Sequence, residues 1–359
     1  MRVAFNVPLN GVSFGQVATA LLREARASSI DPLIFNIGDS VDLSTQGADK
    51  DFNEWINNLL LRAPSEHDRN DPTFKIWHLR GSLESFSKEQ TVLSFYELDS
   101  PTEPELNMVR NNRTIFSSEH TVEVFSSMGA SSHYVPLAFD HHNFKRKDKK
   151  YFVDDRIVFN LCGKFEKRKH HPKILNAWAK KYGNNNKYFL QCALYNGFLS
   201  NEDNHKCIAN SLEGKKYSNI QILHPMARNS MYNDFLNSAN IIIGMSGGEG
   251  WGLPEFHSVA LGKHGVILDA HAYKSWANTD NAVMVESSGK IDAADGVFFK
   301  QGELFNQGQL FDWDEDDFLD GCEEAIKRHE ANPVNVAGLK LQEKFTYAKT
   351  LEGILKVME

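Results

Sequence analysis

Short apolar runs alternate with amphipathic stretches along this chain, and the alternation restarts once after a polar interval. Residues 2–7 predict a strand, followed by a loop carrying Gly11 and Gly15. A helix over about residues 15–27 comes next, with Val17, Ala20, Leu21 and Leu22 on its inner side. Further strands are predicted at 32–37, 74–79, 91–95, 114–117 and 132–136, with a helix at 51–61. A third helix ends at Gly129, where glycine suits a left-handed cap.

The interval 140–155 (DHHNFKRKDKKYFVDD) is strongly polar and reads as a linker. Beyond it the pattern predicts strands at 157–162, 188–194, 220–223, 241–245 and 265–268. Helices are predicted at 172–182, 230–238 and 254–261. Such alternation implies an α/β protein with parallel sheets covered by helices on both faces. Ligands bind outside the carboxyl ends of such strands, so two units in tandem place a cleft between them. The expected division is a first domain at 1–140, a linker at 141–155, a second domain at 156–333 and a terminal helical segment at 334–359.

Composition narrows the class. A length of 359 residues suits two domains, and 41% hydrophobic with 24% charged residues describes an ordinary globular protein. A net charge of −8 argues against a general nucleic-acid binder. The four cysteines lack metal-site spacing and read as reduced, partly buried thiols. The apolar run 239–245 is far below the ~18 residues of a membrane span. The N-terminus has no signal-peptide pattern, so a cytoplasmic location is expected.

The candidate chemistry centres on residues 246–254, SGGEGWGLP, which follow the apolar strand IIIGM and lead into the helix PEFHSVALG. Pro254 fits the first helical position and Gly262 fits just past the helix end. Gly247, Gly248, Gly250 and Gly252 let backbone approach a ligand closely, and the free N–H groups at the helix start favour an anion. The run therefore reads as a pyrophosphate cradle with Glu249 embedded in it. A flexible glycine-rich turn is the plainer alternative. The first strand after the linker ends in GKFEKRKHHPKIL, which supplies cations at a strand end; here Lys167, Arg168 and Lys173 read as a solvated Lys-rich loop.

These motifs resemble the retaining GT-B glycosyltransferases of family 4. SGGEGWGLP is similar to their EGFGLP signature, which opens an E-x7-E motif. The resemblance implies that Glu249 lies by the donor sugar, with Trp251 and Leu253 in the same donor loop. His257 stands where the family has its second, ribose-binding Glu. An imidazole can still hydrogen-bond a ribose hydroxyl. Lys164 and Lys169 match the Gly-Arg-x4-Lys pattern that grips the donor diphosphate, with Lys in place of Arg. GVSFG, with Ser13 and Gly15, resembles the glycine loop near the donor phosphates. Glu97, in a Glu-x-Asp segment after a strand, is the acceptor-side candidate, with His78 a lesser one. Ser118–Glu119 matches the end of the family's first domain, and KFTYAKTLEGILKVM resembles the terminal helix that crosses back onto it.

The resemblance implies two Rossmann-like domains facing across a cleft and a nucleotide-diphosphate sugar, UDP- or GDP-linked, as donor. No metal or other cofactor is implied. The acidic pairs DWD and DED at 312–316 precede an amphipathic helix and suit its dipole. The acceptor stays open between glycan, lipid, protein and modified DNA base. The basic segments KRKDKK (145–150) and 164–173 could attract anionic lipid or DNA, and GKFEKRKHH resembles phage glycosyltransferases. The rivals are a catalytically inactive sugar- or nucleotide-binding GT-B module and another GT-B enzyme such as a sugar-nucleotide epimerase.

Overall fold

The computed structural model describes residues 2–359. The first domain carries a six-stranded parallel sheet: β1 (Ala4–Val7), β2 (Leu33–Asn36), β3 (Thr73–Ile76), β4 (Gln90–Ser94), β5 (Arg113–Phe116) and β6 (His133–Tyr134), in the order β2-β1-β3-β4-β5-β6. Its helices are α1 (Ser13–Ala27), α2 (Lys50–Glu66), α3 (Glu103–Arg110) and α4 (Glu119–Ser127). Gly129 takes the left-handed conformation after α4 (φ +73).

The second domain repeats the plan. β7 (Ile157–Gly163), β8 (Tyr188–Leu194), β9 (Ile220–Ile222), β10 (Ile241–Gly244), β11 (His264–Leu268) and β12 (Val283–Val285) form a parallel sheet ordered β12-β11-β10-β7-β8-β9. Helices α5 (His171–Tyr182), α6 (Asn201–Ser211), α7 (Asn229–Ser238), α8 (Leu253–Ala260) and α9 (Glu315–Ala331) flank it. β10 is central and apolar on both faces, as a strand covered by helices on each side must be. The order reverses between β7 and β10, which puts the carboxyl ends of these two strands at the site where ligands bind in such sheets.

Short helices α10 (Val336–Leu339) and α11 (Leu341–Lys344) lead to α12 (Tyr347–Met358), which returns to the first domain and packs against α1, β4 and β5. Arg113 donates to the backbone carbonyls of Val357 (3.2 Å) and Met358 (2.5 Å), closing the helix end with a cation.

One element was not foreseen. β13 (Gly289–Asp292) and β14 (Gln309–Asp312) form an antiparallel hairpin whose long connection leans on the first domain. Ala293, Phe299 and Leu310 are buried in one cluster with Tyr96, Leu98 and Phe125. Lys290 pairs with Asp99 at 2.7 Å, and Asn306 N–H donates to Glu105 Oε1 at 2.7 Å. The hairpin thereby clasps the loop after β4, which carries Glu97. Helices α3 and α6 and strand β12 also lie outside the sequence-based reading.

Among the described residues no helix is long and apolar enough to cross a membrane. All four cysteines are free, and Cys162, Cys192 and Cys322 are buried.

Candidate active site

A cleft of about 340 Å³ opens between the domains at the carboxyl ends of β7 and β8. Ser13 and Gln16 line it from the first domain, Gly163 and Tyr195 from the second, and Leu253 and His257 from α8. Two helix N-termini meet there. No side chain caps α1, whose N-cap is Val12, or α8, whose N-cap is Gly252 in the left-handed conformation (φ +79). Uncapped N–H groups and the aligned helix dipoles make this region favourable for an anion.

Behind the cleft runs a chain of buried charges. After β7 the backbone makes one 3-10 turn (Lys167–Lys169), and His170 then adopts the left-handed conformation (φ 53). This turn sends both Arg168 and Lys169 inward. Lys169 passes beneath Gly163, where a Cβ would lie 3.2 Å from Lys169 Cε, and its Nζ lies 2.5 Å from Glu249 Oε1. Arg168 Nη1 lies 2.9 Å from the same oxygen. Arg168 Nη2 contacts Glu166 (2.6 Å) and reaches Glu97 of the first domain (3.1 Å). Glu255 Oε1 sits 3.8 Å from Lys169 Nζ, and Lys164 Nζ lies 3.1 Å from Glu166 Oε2.

Arg168 was expected to be solvated. It is instead 5% exposed and donates to Gly248 O. Of its neighbours, Lys167 is exposed and donates to Ala294 O, while Lys173 is half-buried and pairs with Asp312 at 2.7 Å. Arg168, Glu166 and Glu255 are the members of the site that sequence reasoning missed.

The carboxyls feel different fields. Burial would raise Glu249, but Arg168 and Lys169 outweigh it and hold the group far below the usual range. Burial pushes Glu97 up to about 7, because Arg168 offsets burial only in part and the Glu249 and Glu166 charges oppose ionisation. Glu255 is also raised, again by burial, with Lys169 opposing.

The glycine run is packed against protein. A Cβ at Gly248 would lie 2.2 Å from the Glu97 carbonyl oxygen, one at Gly250 2.7 Å from Phe95 Cβ, and one at Gly247 2.5 Å from the Phe311 carbonyl oxygen. Ser117 Oγ donates to Gly250 O at 2.6 Å across the domain boundary. These glycines thus admit first-domain and hairpin backbone. Only Leu253, Pro254 and His257, from the helix that follows, face the cleft. Trp251 is buried against Phe256 and Phe345, and its carbonyl accepts from Trp276 Nε1. Gly15 fits against the Asn10 carbonyl, where a Cβ would lie at 2.2 Å.

The remaining candidates fall as follows. His257 is buried against Phe144 (4.4 Å between rings) and Phe139, and its Nε2 accepts from Asp140 N–H at 3.4 Å. Burial lowers its pKa to about 4, so the ring is neutral. Lys164 holds its ammonium 3.6 Å over the Phe298 ring. His78 is exposed and rests against Phe14, with 4.6 Å between rings. Ser118 caps α4 by accepting from Thr121 N–H. Asp314 is the N-cap residue of α9, with Glu315, Asp316 and Asp317 in its first turn. In the basic linker, Lys147 pairs with Asp234 and Lys150 with Asp155, each at 2.9 Å.

Two parallel sheets facing across a cleft, with a terminal helix crossing back, define the GT-B fold. Neither a protein-family model nor a curated protein sequence matches the chain. Solved structures do. OtsA in its apo form matches with a TM-score of 0.69 and 11% identity, over 100% of this chain and 99% of that one. HepE of Anabaena, in complex with UDP and glucose, gives 0.67 and 11%, over 99% and 98%. Sucrose-phosphate synthase from Thermosynechococcus elongatus gives 0.61 and 11%, over 100% and 95%. At this identity the likeness establishes the fold.

Proposed function

We propose that this protein is a retaining glycosyltransferase of the family-4 kind that uses a nucleotide-diphosphate sugar and needs no metal. One observation carries the reading. The buried Lys169 runs under Gly163 at the edge of a cleft that also receives the uncapped starts of α1 and α8. A diphosphate is the ligand whose charge suits that convergence. HepE of Anabaena, with the same fold, has been solved with UDP-glucose.

In this reading the nucleotide lies along Tyr195 and His257, and its diphosphate faces Lys169 and the two helix starts. The sugar C1–oxygen bond to the diphosphate breaks and the acceptor oxygen bonds to C1 on the same face. The acceptor proton passes to the leaving phosphate oxygen. Glu97, with 32% of its side chain exposed, orients the acceptor hydroxyl. Domain closure keeps water out. The acceptor is a glycan, lipid, protein or modified DNA base, and the basic linker is a surface for an anionic one.

A second reading, a nucleotide-sugar-binding module without turnover, is favoured by His257, whose Nε2 is already engaged by Asp140 N–H. Nucleotide release from UDP- and GDP-sugars with an acceptor panel separates the two. Release that depends on acceptor supports transfer. Saturable binding without release supports the module.

A further inference from the structure

Among the described residues, Arg168 pairs with carboxylates of both domains. Its guanidinium meets Glu97 from the first domain, and Glu166 and Glu249 from the second. We infer that Arg168 is a positioning residue that completes the reactive centre on domain closure, fixing the Glu97 carboxyl across the domain boundary so that it can receive the acceptor hydroxyl. The inference rests on the transferase reading for its consequence, though not for its physics.

The geometry is asymmetric in a telling way. The Arg168 side chain is 6% exposed and Glu97 is 32% exposed. The guanidinium is therefore committed to protein, while about a third of the Glu97 side chain stays exposed. Arg168 is also fixed from its own side. Its Nε and Nη2 both donate to Glu166 Oε1, Nη1 donates to Gly248 O, and the left-handed His170 ends the turn that aims it. Glu97 has no comparable support. Facing it are Arg168 and Glu166 from the turn after β7, Lys164 from the end of that strand, and Glu249 from the loop after β10. Two of these four are carboxylates, and Lys164 is already paired with Glu166. Arg168 is the cation in contact.

Every one of those groups belongs to the second domain. Separating the domains would strip Glu97 of its contact cation, and closing them restores it. The proton affinity of the acceptor-side carboxylate is in this way tied to closure. An open enzyme would hold Glu97 without its partner, and a closed one would hold it paired with Arg168, whose charge offsets part of the burial that raises it.

The test titrates Glu97 directly in the full-length protein labelled with 13C-glutamate, assigning its carboxyl by the signal lost in Glu97→Gln. Arg168→Met should move the Glu97 midpoint up by about one pH unit or more, the scale of one lost contact charge. Arg168→Lys should fall between Met and wild type, and it serves if the Met variant does not fold. Where transfer is measurable, the acid limb of the kcat/KM profile should move with the midpoint, with rate recovered at high pH. A Glu97 midpoint unchanged in a folded Arg168 variant overturns the inference. A shifted midpoint in a protein that turns over no nucleotide sugar leaves the inference standing and removes the transferase reading.

Discussion

Lys169 Nζ lies 2.5 Å from Glu249 Oε1, both side chains less than a tenth exposed, at the junction of β7 and β10. The pair joins the two strand ends that the sheet order brings side by side. It also changes what a mutation of Glu249 means. Glu249 is a counter-ion for two buried cations as well as a donor-side candidate.

Glu249→Ala should therefore abolish transfer and also lower stability, by about 3–5 kcal/mol, because buried Lys169 loses its close counter-ion and keeps only Glu255 at 3.8 Å, while Arg168 keeps Glu166 and Glu97. Thermal unfolding of the variant beside its activity checks this. An unchanged melting temperature would show that the buried charges are neutralised in another way.

Gly248→Ala should push the domains apart. Its Cβ would lie 2.2 Å from the Glu97 carbonyl oxygen, and that contact is backbone, which cannot swing away. Overpacking of this kind costs about 1–3 kcal/mol. Small-angle scattering should show a larger radius of gyration than wild type, and donor turnover should fall. Wild-type scattering with wild-type turnover would mean that the interface yields without cost.

Much of this was legible in the sequence, and for physical reasons. Strand β10 is a run of isoleucines ended by glycine, and α8 opens with proline, so period and punctuation mark both. Glu249, Lys164 and Lys169 stand at strand ends, where a motif fixes position. Arg168 was not legible. A single 3-10 turn closed by a left-handed histidine decides whether it faces water or protein, and nothing in the composition of KRKHH signals that turn. The hairpin was hidden because its strands are four residues each and its apolar side chains find their partners about 200 positions earlier in the chain. His257 was placed correctly on its helix, but the aromatic rings that enclose it come from the end of the first domain (Phe139) and from the linker (Phe144).

Acid should destabilise the fold well above the range where carboxylates titrate. Burial drives His171 and His271 to about 3 and His257 to about 4, each below its unfolded value of about 6.5. Between those limits the unfolded chain binds more protons, so stability falls as pH falls, by up to about 1.4 kcal/mol per pH unit for each group. Glu97 works in the opposite sense, since its raised value makes the folded state the better proton binder from about 4.3 to 7. The raised Glu255 and Glu105 act with Glu97. His329, lowered by burial to about 4, adds to the histidine side, as do the lowered His78, His120, His142, His170 and His264, so the histidines outweigh the carboxyls. The urea midpoint should drop between pH 7 and pH 5, and a flat or rising midpoint would mean that these histidines are not held neutral.

The central claim is that the cleft between the sheets binds a nucleotide-diphosphate sugar. Titration calorimetry of the full chain with a panel of UDP- and GDP-sugars addresses it most directly, with Lys169→Met as the paired variant and its folding verified by thermal unfolding. The account predicts saturable one-to-one binding of at least one donor, without added metal, weakened about tenfold or more in the variant, as expected for losing a charge-assisted contact. Absence of binding by every donor, or equal affinity in wild type and a folded Lys169→Met protein, would contradict it.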